Sequence, residues 1–526
     1  MDLVLRGARI ADGTGAPLRR ADVAIDGGRI AEVGHRLTGT RVIDVDGLVL
    51  APGFVDMHSH SDLQLLAAPD HLAKVSQGVT TEVLGQDGLS YAPVDDTTLA
   101  ALRLQLAGWN DDPPGFDWNW RSVGEYLDRL DRGIAVNAAY LVPQGTVRML
   151  VVGLDDRPAT ESEVDRMRLL VAAGMDEGAA GMSSGLTYPP GMYADDDELV
   201  ALCAVVGARG GYYSPHHRSY GAGALEAFAE MVEVCRRARC PLHLAHATLN
   251  FPVNAGRAPE LLRLLDSALD DGVDVTLDSY PYLPGATYLS ALLPSWAAAG
   301  GAHATLERLR RADTRERIRA EIEETGSDGA HGVPIDWAAI EINGVRHARN
   351  AHLVGHSVAA SARRAGVPPA SLFFDVLVDE RLGTSCLMHV GHEDNVRAIM
   401  RHRTHTGGSD GLLVGDRPHP RAWGTFPRYL GRYVRELGVL GLTECIAHLT
   451  GRPARRLGLT GRGLVEPGYA ADLVLFDPNT VADTATFEQP RQQAAGIRHV
   501  FVNGVAALRD GRPTGALAGH SLRRSA

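Results

Sequence analysis

Two histidines separated by a single residue, His58 and His60, close the apolar segment Phe54-Val55-Asp56-Met57. Side chains alternate along a strand, so residues two apart share a face. Two neutral imidazoles converging at a strand end supply half of a zinc or similar site. The competing reading is a merely polar strand end. Other residues of the same chemistry end apolar runs elsewhere. Asp87 follows the run 79–84, His216 ends the run from Gly211, and His246 ends the run from Pro241. Asp410 lies in the turn-rich Gly407-Gly408-Ser409-Asp410-Gly411, after His402 and His405. Each alone reads equally well as a surface or packing residue; together they are better evidence for a metal site. Alternation predicts that His217 points away from His216, and that His243 faces the core rather than sharing a face with His246. His389 and His392 read as helix-start residues or as groups facing a substrate. The stretch 109–120 holds three of the six tryptophans, and either walls an apolar pocket or packs as a loop.

Strand-end residues can act together only where the ends meet on one side of a sheet. Between 135 and 278, apolar runs at 135–142, 181–184, 211–216, 241–246 and 273–278 alternate with amphipathic segments at 161–178, 195–208, 222–238 and 261–268. That alternation predicts an α/β fold, a (β/α)8 TIM-like barrel, whose active site gathers on the face where the strands end. The first fifty residues read as short strands with turns at 12–15 and 26–28, and strands return at 471–477 and 499–504. Both chain termini are therefore expected to build a small β-sandwich domain, residues 1–51 plus 455–515, beside a barrel over 52–454. Residues 290–380 fit the alternation poorly and predict an insertion or lid.

A chain of 526 residues has room for a barrel of about 250 residues or more with an accessory domain. Its net charge of -12 argues against a nucleic-acid partner, which calls for basic patches. Five cysteines without a CxxC pair do not form a disulfide framework and suggest a reducing compartment. The N-terminal residues lack a signal-peptide pattern, and no apolar run reaches the ~18 residues of a membrane helix. The expectation is a cytoplasmic protein with no membrane partner.

The motifs, taken in order, resemble the amidohydrolase superfamily, and within it the N-acyl-D-amino-acid deacylase (D-aminoacylase) family. The resemblance runs through Ala51-Pro52-Gly53-Phe54-Val55-Asp56-Met57-His58-Ser59-His60, Gln77-Gly78-Val79-Thr80-Thr81, Ser409-Asp410-Gly411, His419-Pro420-Arg421, Trp423-Gly424-Thr425-Phe426-Pro427-Arg428 and Pro467-Gly468-Tyr469-Ala470-Ala471-Asp472-Leu473, ending at Asp483-Thr484-Ala485-Thr486-Phe487-Glu488. It implies one or two ions per chain, zinc or another divalent metal, held by His58, His60, His216 and His246. Asp410 is implied as both ligand and catalytic acid/base. The substrate implied is a small-molecule acylated amine, hydrolysed at its C–N bond by metal-activated water.

Three departures from that family bear on the site. Where the family has Gly-Asn-Cys-Gly with a metal-binding cysteine, this chain has Gly85-Gln86-Asp87-Gly88. A carboxylate is a harder ligand and can span two ions through separate oxygens; the alternative is a simple turn residue. The family's carboxylate-binding lysine is replaced by Thr248, and its assisting serine by Ala286 beside Thr287. Tyr280 is retained as a substrate-binding candidate, and Arg421 suits either substrate binding or loop support. A buried carboxylate needs a cation or several donors. The losses therefore keep open a neutral substrate, such as a cyclic amide or a D-residue within a peptide. A catalytically silent, amidohydrolase-like scaffold is the alternative of another class; such a chain is expected to lose ligands that are all present here. The sequence does not set the oligomeric state.

Overall fold

In the computed structural model, which describes residues 1–524, eight parallel strands form the centre of the molecule. They are Phe54–Asp56, Val79–Leu84, Asn137–Pro143, Gly181–Gly185, Tyr212–His216, Leu242–Leu244, Val275–Ser279 and His405–Gly407. Each pairs with the next in chain order. The first and last are joined by residues around their ends. Met57 N–H donates to Gly407 O (3.1 Å), Asp410 N–H to His58 O (2.8 Å) and His60 N–H to Gly411 O (3.3 Å). Strands covered on both faces read as continuous apolar runs, and every residue of Val79–Leu84 and of Asn137–Pro143 is buried.

The helices wrap this barrel with their apolar faces inward. Glu161–Asp176 shows how the local sequence sets one. The Thr160 side chain accepts from Glu163 N–H while the Glu163 carboxylate accepts from Thr160 N–H, a reciprocal cap. Loss of such a cap costs about 1 kcal/mol. Met167, Val171 and Met175 then fall on the buried face, at the spacing that a helical period requires.

The two ends of the chain meet in one nine-stranded mixed sheet. Val49–Pro52 runs antiparallel to Leu473–Phe476 with Leu50 opposite Leu475, and Leu5, Val23, Leu50, Leu475 and Phe501 share one apolar cluster. The hairpin between Arg19–Asp26 and Arg29–Gly34 turns on Gly27 and Gly28, both at positive φ (55° and 80°), as a tight turn matched to strand twist requires.

Within and beside the span expected to interrupt the barrel, a four-stranded antiparallel sheet joins Gly285–Tyr288, Ser385–Met388, Ile340–Gly344 and His356–Ser357. Its own apolar cluster includes Ile318, Ile342, Phe373 and Leu377. Among the described residues no helix is long and apolar enough to cross a membrane.

Candidate metal centre and active-site cleft

Six side chains from five strand ends converge. His58 and His60 lie just beyond Phe54–Asp56, Asp87 beyond Val79–Leu84, and His216 closes Tyr212–His216. His246 follows Leu242–Leu244, and Asp410 follows His405–Gly407. Two groups of donor atoms result: His58, His60, Asp87 and Asp410, and Asp87, His216 and His246. Asp87 belongs to both. Its Oδ1 is 3.4 Å from the Nε2 atoms of His58 and His246, and its Oδ2 is 3.5 Å from His60 Nε2 and 3.4 Å from His216 Nδ1. Asp410 Oδ1 is 3.2 Å from His60 Nε2, and His216 Nδ1 is 3.1 Å from His246 Nε2. Ligand atoms about 2.1 Å from a tetrahedral ion stand about 3.4 Å apart. Buried Asp87 Oδ1 also lacks any hydrogen-bond partner. The donor set therefore fits one or two divalent cations.

The local backbone differs from the alternating strand that the spacing implies. Phe54–Asp56 and Leu242–Leu244 stop two residues short of His58 and His246, so turns present these histidines. Asp87, His246 and Asp410 have φ of 54°, 28° and 48°, a left-handed conformation that side chains other than glycine rarely adopt. Three such residues in one cluster match the clustering of backbone strain at functional sites. Gly408 permits the close approach of the last strand: a Cβ there would stand 2.6 Å from Asp278 Oδ1 and 2.9 Å from His58 Cβ.

Electrostatics reinforce the geometry. Burial alone would lower His60, yet hydrogen bonds to Asp410 and Asp87 outweigh it and carry it up to about 10. Burial opposes ionisation of Asp87, but the charges of His58, His216 and His246 hold it well below the usual carboxylate range. Asp410 is likewise held low against burial, chiefly by the Arg421 guanidinium.

Of the ring nitrogens turned away from the cluster, two have hydrogen-bond partners and one faces a carboxylate beyond hydrogen-bond distance. His216 Nε2 lies 2.7 Å from Thr187 Oγ1, and His246 Nδ1 lies 2.9 Å from the Tyr220 hydroxyl. His58 Nδ1 faces Asp278 Oδ2 at 3.8 Å. Asp278 also accepts from His246 N–H through Oδ1 (2.9 Å) and meets His243 Nε2 through Oδ2 (3.0 Å). His243 is buried as expected, but it is a polar link and not apolar packing: its Nδ1 meets Thr276 Oγ1 at 2.8 Å. A second buried network joins the first and last strand ends. Lys74 Nζ contacts Asp56 Oδ2 (2.5 Å), Ser409 Oγ (2.8 Å) and Glu82 Oε1 (3.1 Å), while Asp56 Oδ1 accepts from Ser409 N–H (2.8 Å).

A cleft opens over the cluster, and Trp109, Tyr188, Thr248, Tyr280, Thr287 and His331 are among its walls. Thr248 and Tyr280 thus both line this cleft. Arg421 sits behind Asp410, fully buried, with Nη2 2.8 Å from Asp410 Oδ2 and its guanidinium 4.5 Å from the Tyr280 ring centre. Of the aromatic stretch, Trp109 reaches the cleft against His60 (4.7 Å between rings), whereas Trp120 bonds to Tyr91 O and packs in the core. His217 points away, between Tyr220 and Phe228. His389 pairs with Glu341 and His392 with Phe251 O, both outside the cleft lining.

The sequence reading missed Asp278, Tyr220, Thr187, Lys74, Glu82 and His331. Asp278 carried a usable signal, since it ends an apolar strand as His216 does. Nothing local marks Lys74 as buried.

Residues 41–507 match the Amidohydrolase family. The chain is 37% identical to a D-aminoacylase of Alcaligenes xylosoxydans xylosoxydans over 529 residues, covering 100% of this chain and 98% of that one. A solved D-aminoacylase, described for the role of its binuclear metal centre, superposes with a TM-score of 0.84 at 34% identity, covering 99% of this chain and 100% of that one. The N-acyl-D-glutamate deacylase of Bordetella bronchiseptica, solved with zinc and a phosphonate mimic of the tetrahedral intermediate, gives 0.82 at 32% identity, with 100% of each chain covered.

Proposed function

Since the chain belongs to the amidohydrolase family, and its full-length relatives are deacylases of N-acyl-D-amino acids, we propose that it is a metal-dependent N-acyl-D-amino-acid deacylase or a close relative acting on another acylated amine. The observation that carries this reading is the convergence of His58, His60, Asp87, His216, His246 and Asp410 beneath an open cleft. These six would hold one or two ions, zinc or another divalent metal, Asp87 being the residue common to both donor groups. When bound, the metal supplies Lewis acidity toward the amide carbonyl and acidifies water from a pKa of ~15.7 to about 7.

The chain's own residues do the rest. Asp410 accepts a proton from the attacking water and returns it to the leaving nitrogen. Arg421 fixes the Asp410 carboxylate from behind, leaving Oδ1 directed at the cluster. Tyr280, stacked on that guanidinium, and Thr248 position the substrate.

A neutral substrate is the second reading, and one observation favours it. Among the described residues lining the cleft there is no lysine or arginine, and Thr248 and Ala286 both face it. A panel of N-acyl-D-amino acids, their carboxamides, the L-enantiomers and cyclic amides separates the two. Turnover of D-acids above the rest supports the deacylase; turnover confined to carboxamides or cyclic amides supports the neutral substrate; and no hydrolysis of any member by the zinc-loaded protein overturns both. All five cysteines are free and buried, which supports placing the protein in the reducing cytoplasm.

A further inference from the structure

At the end of the barrel opposite the metal cluster, the starts of Tyr212–His216 and Val275–Ser279 border a cavity of about 420 Å³. Five arginines line it, Arg403, Arg452, Arg455, Arg456 and Arg524, against a single carboxylate, Asp274. Arg456 commits its charge to Asp274 (2.6 Å) and its Nε–H to Thr276 Oγ1 (2.7 Å). Arg403 is drawn to Asp266 at 3.0 Å. Among the described residues, Arg452, Arg455 and Arg524 have no carboxylate within ion-pair distance; Arg452 makes only long contacts, 3.4 Å, to the carbonyls of His402 and His405. In a chain of net charge -12 five arginines around one carboxylate run against the background. Like charges crowded into a concave site raise its affinity for anions.

A second feature borders the same cavity. Tyr212 is 1% exposed, yet its hydroxyl has no hydrogen-bond partner, and it is one of the lining residues. Buried phenols nearly always find a partner. This one lacks an acceptor at the wall of a cavity rich in donors.

We propose that this cavity is a binding site for a small multivalent oxyanion, a phosphorylated or polycarboxylate metabolite, with Arg452 and Arg455 pairing its charge and Tyr212 donating its hydroxyl. Guanidinium groups suit both phosphate and carboxylate through paired N–H donors. The site is separate from the metal centre, so its ligand need not resemble the substrate. Arg456 belongs also to the chain Thr276–His243–Asp278–His58, so the test leaves it unaltered.

The test is calorimetric titration of the metal-loaded protein with inorganic phosphate and, separately, with succinate, at constant ionic strength. Binding at the metal centre gives a contribution common to all variants. The proposal expects an additional saturable site for at least one anion. That site weakens at least tenfold in the double variant Arg452→Met/Arg455→Met and several-fold in Tyr212→Phe, with amide hydrolysis unchanged. Phosphate binding without succinate assigns a phosphorylated ligand, and the reverse a carboxylate. Arg455 is exposed, so Arg455→Met alone tests the site without a risk to folding. Titrations of all three variants that match the unaltered protein for both anions would overturn the proposal.

Discussion

Asp278→Asn tests whether the metal cluster is tuned from behind. His58 turns Nε2 toward Asp87 and His60, so a metal-bound His58 keeps its proton on Nδ1, which faces Asp278. A carboxylate there fixes the tautomer and makes the imidazole a stronger donor; loss of such a partner typically costs 10–100-fold in metal affinity. That range is about 1.4–2.7 kcal/mol. Asparagine keeps an acceptor for His246 N–H, 2.9 Å from Oδ1, but turns an amide N–H toward the nitrogens that Oδ2 now faces. The expected loss therefore lies within the range and not below it. The assay is competition for zinc between the protein and a chelating dye, with the apparent Tm of the metal-free protein as a folding control. Asp278 is fully buried and does not line the cleft, so saturating zinc should restore turnover to within a few-fold. An affinity within twofold of the unaltered protein would refute the argument. Turnover that stays low at saturating zinc would place Asp278 in the reaction itself.

Two other perturbations give distinct readouts. Asp87→Ala should lower the metal stoichiometry by removing the side chain common to both donor groups, and elemental analysis showing unchanged content would exclude Asp87 as a ligand. Glu82→Gln breaks the buried network around Lys74, a type of change that costs about 3–5 kcal/mol. Burial opposes the Glu82 charge, but His71 and Lys74 outweigh it and lower its pKa from 4.5 to about 2. A depressed carboxylate contributes stability that is present above the unfolded pKa and lost as pH falls through the folded one. The gap in apparent Tm between Glu82→Gln and the unaltered protein should therefore be full at pH 7 and narrow between pH 4.5 and 2. A gap independent of pH would contradict this.

Much of the barrel was readable because strands covered on both faces leave continuous apolar runs, and the candidate ligands end those runs. His216 is such a case: it is the last residue of its strand. The same logic misjudged how His58, His60 and His246 are presented. It assumed that the strands continue to the histidines, whereas residues 57–60 bond instead to the end of the barrel's last strand, and His246 sits in a turn that follows Leu244. Long-range pairs left no local trace. Lys74 meets Ser409 across 335 residues, and Arg421 finds its role only through Asp410. His331, brought to the cleft from the segment expected to interrupt the barrel, has φ of 58° and an unpartnered Nδ1, neither visible in composition. The replacement of lysine by Thr248 was visible; that it leaves the described cleft lining without lysine or arginine required the structure.

The central claim, water attack on an amide with Asp410 moving the proton, is tested most directly by Asp410→Asn in zinc-loaded protein. Asparagine keeps the size of the side chain but cannot act as the base. General acid–base catalysis contributes about 10²–10⁴-fold, so kcat should fall by at least about a hundredfold while elemental analysis finds the zinc content largely retained. Full activity in that variant would contradict the account.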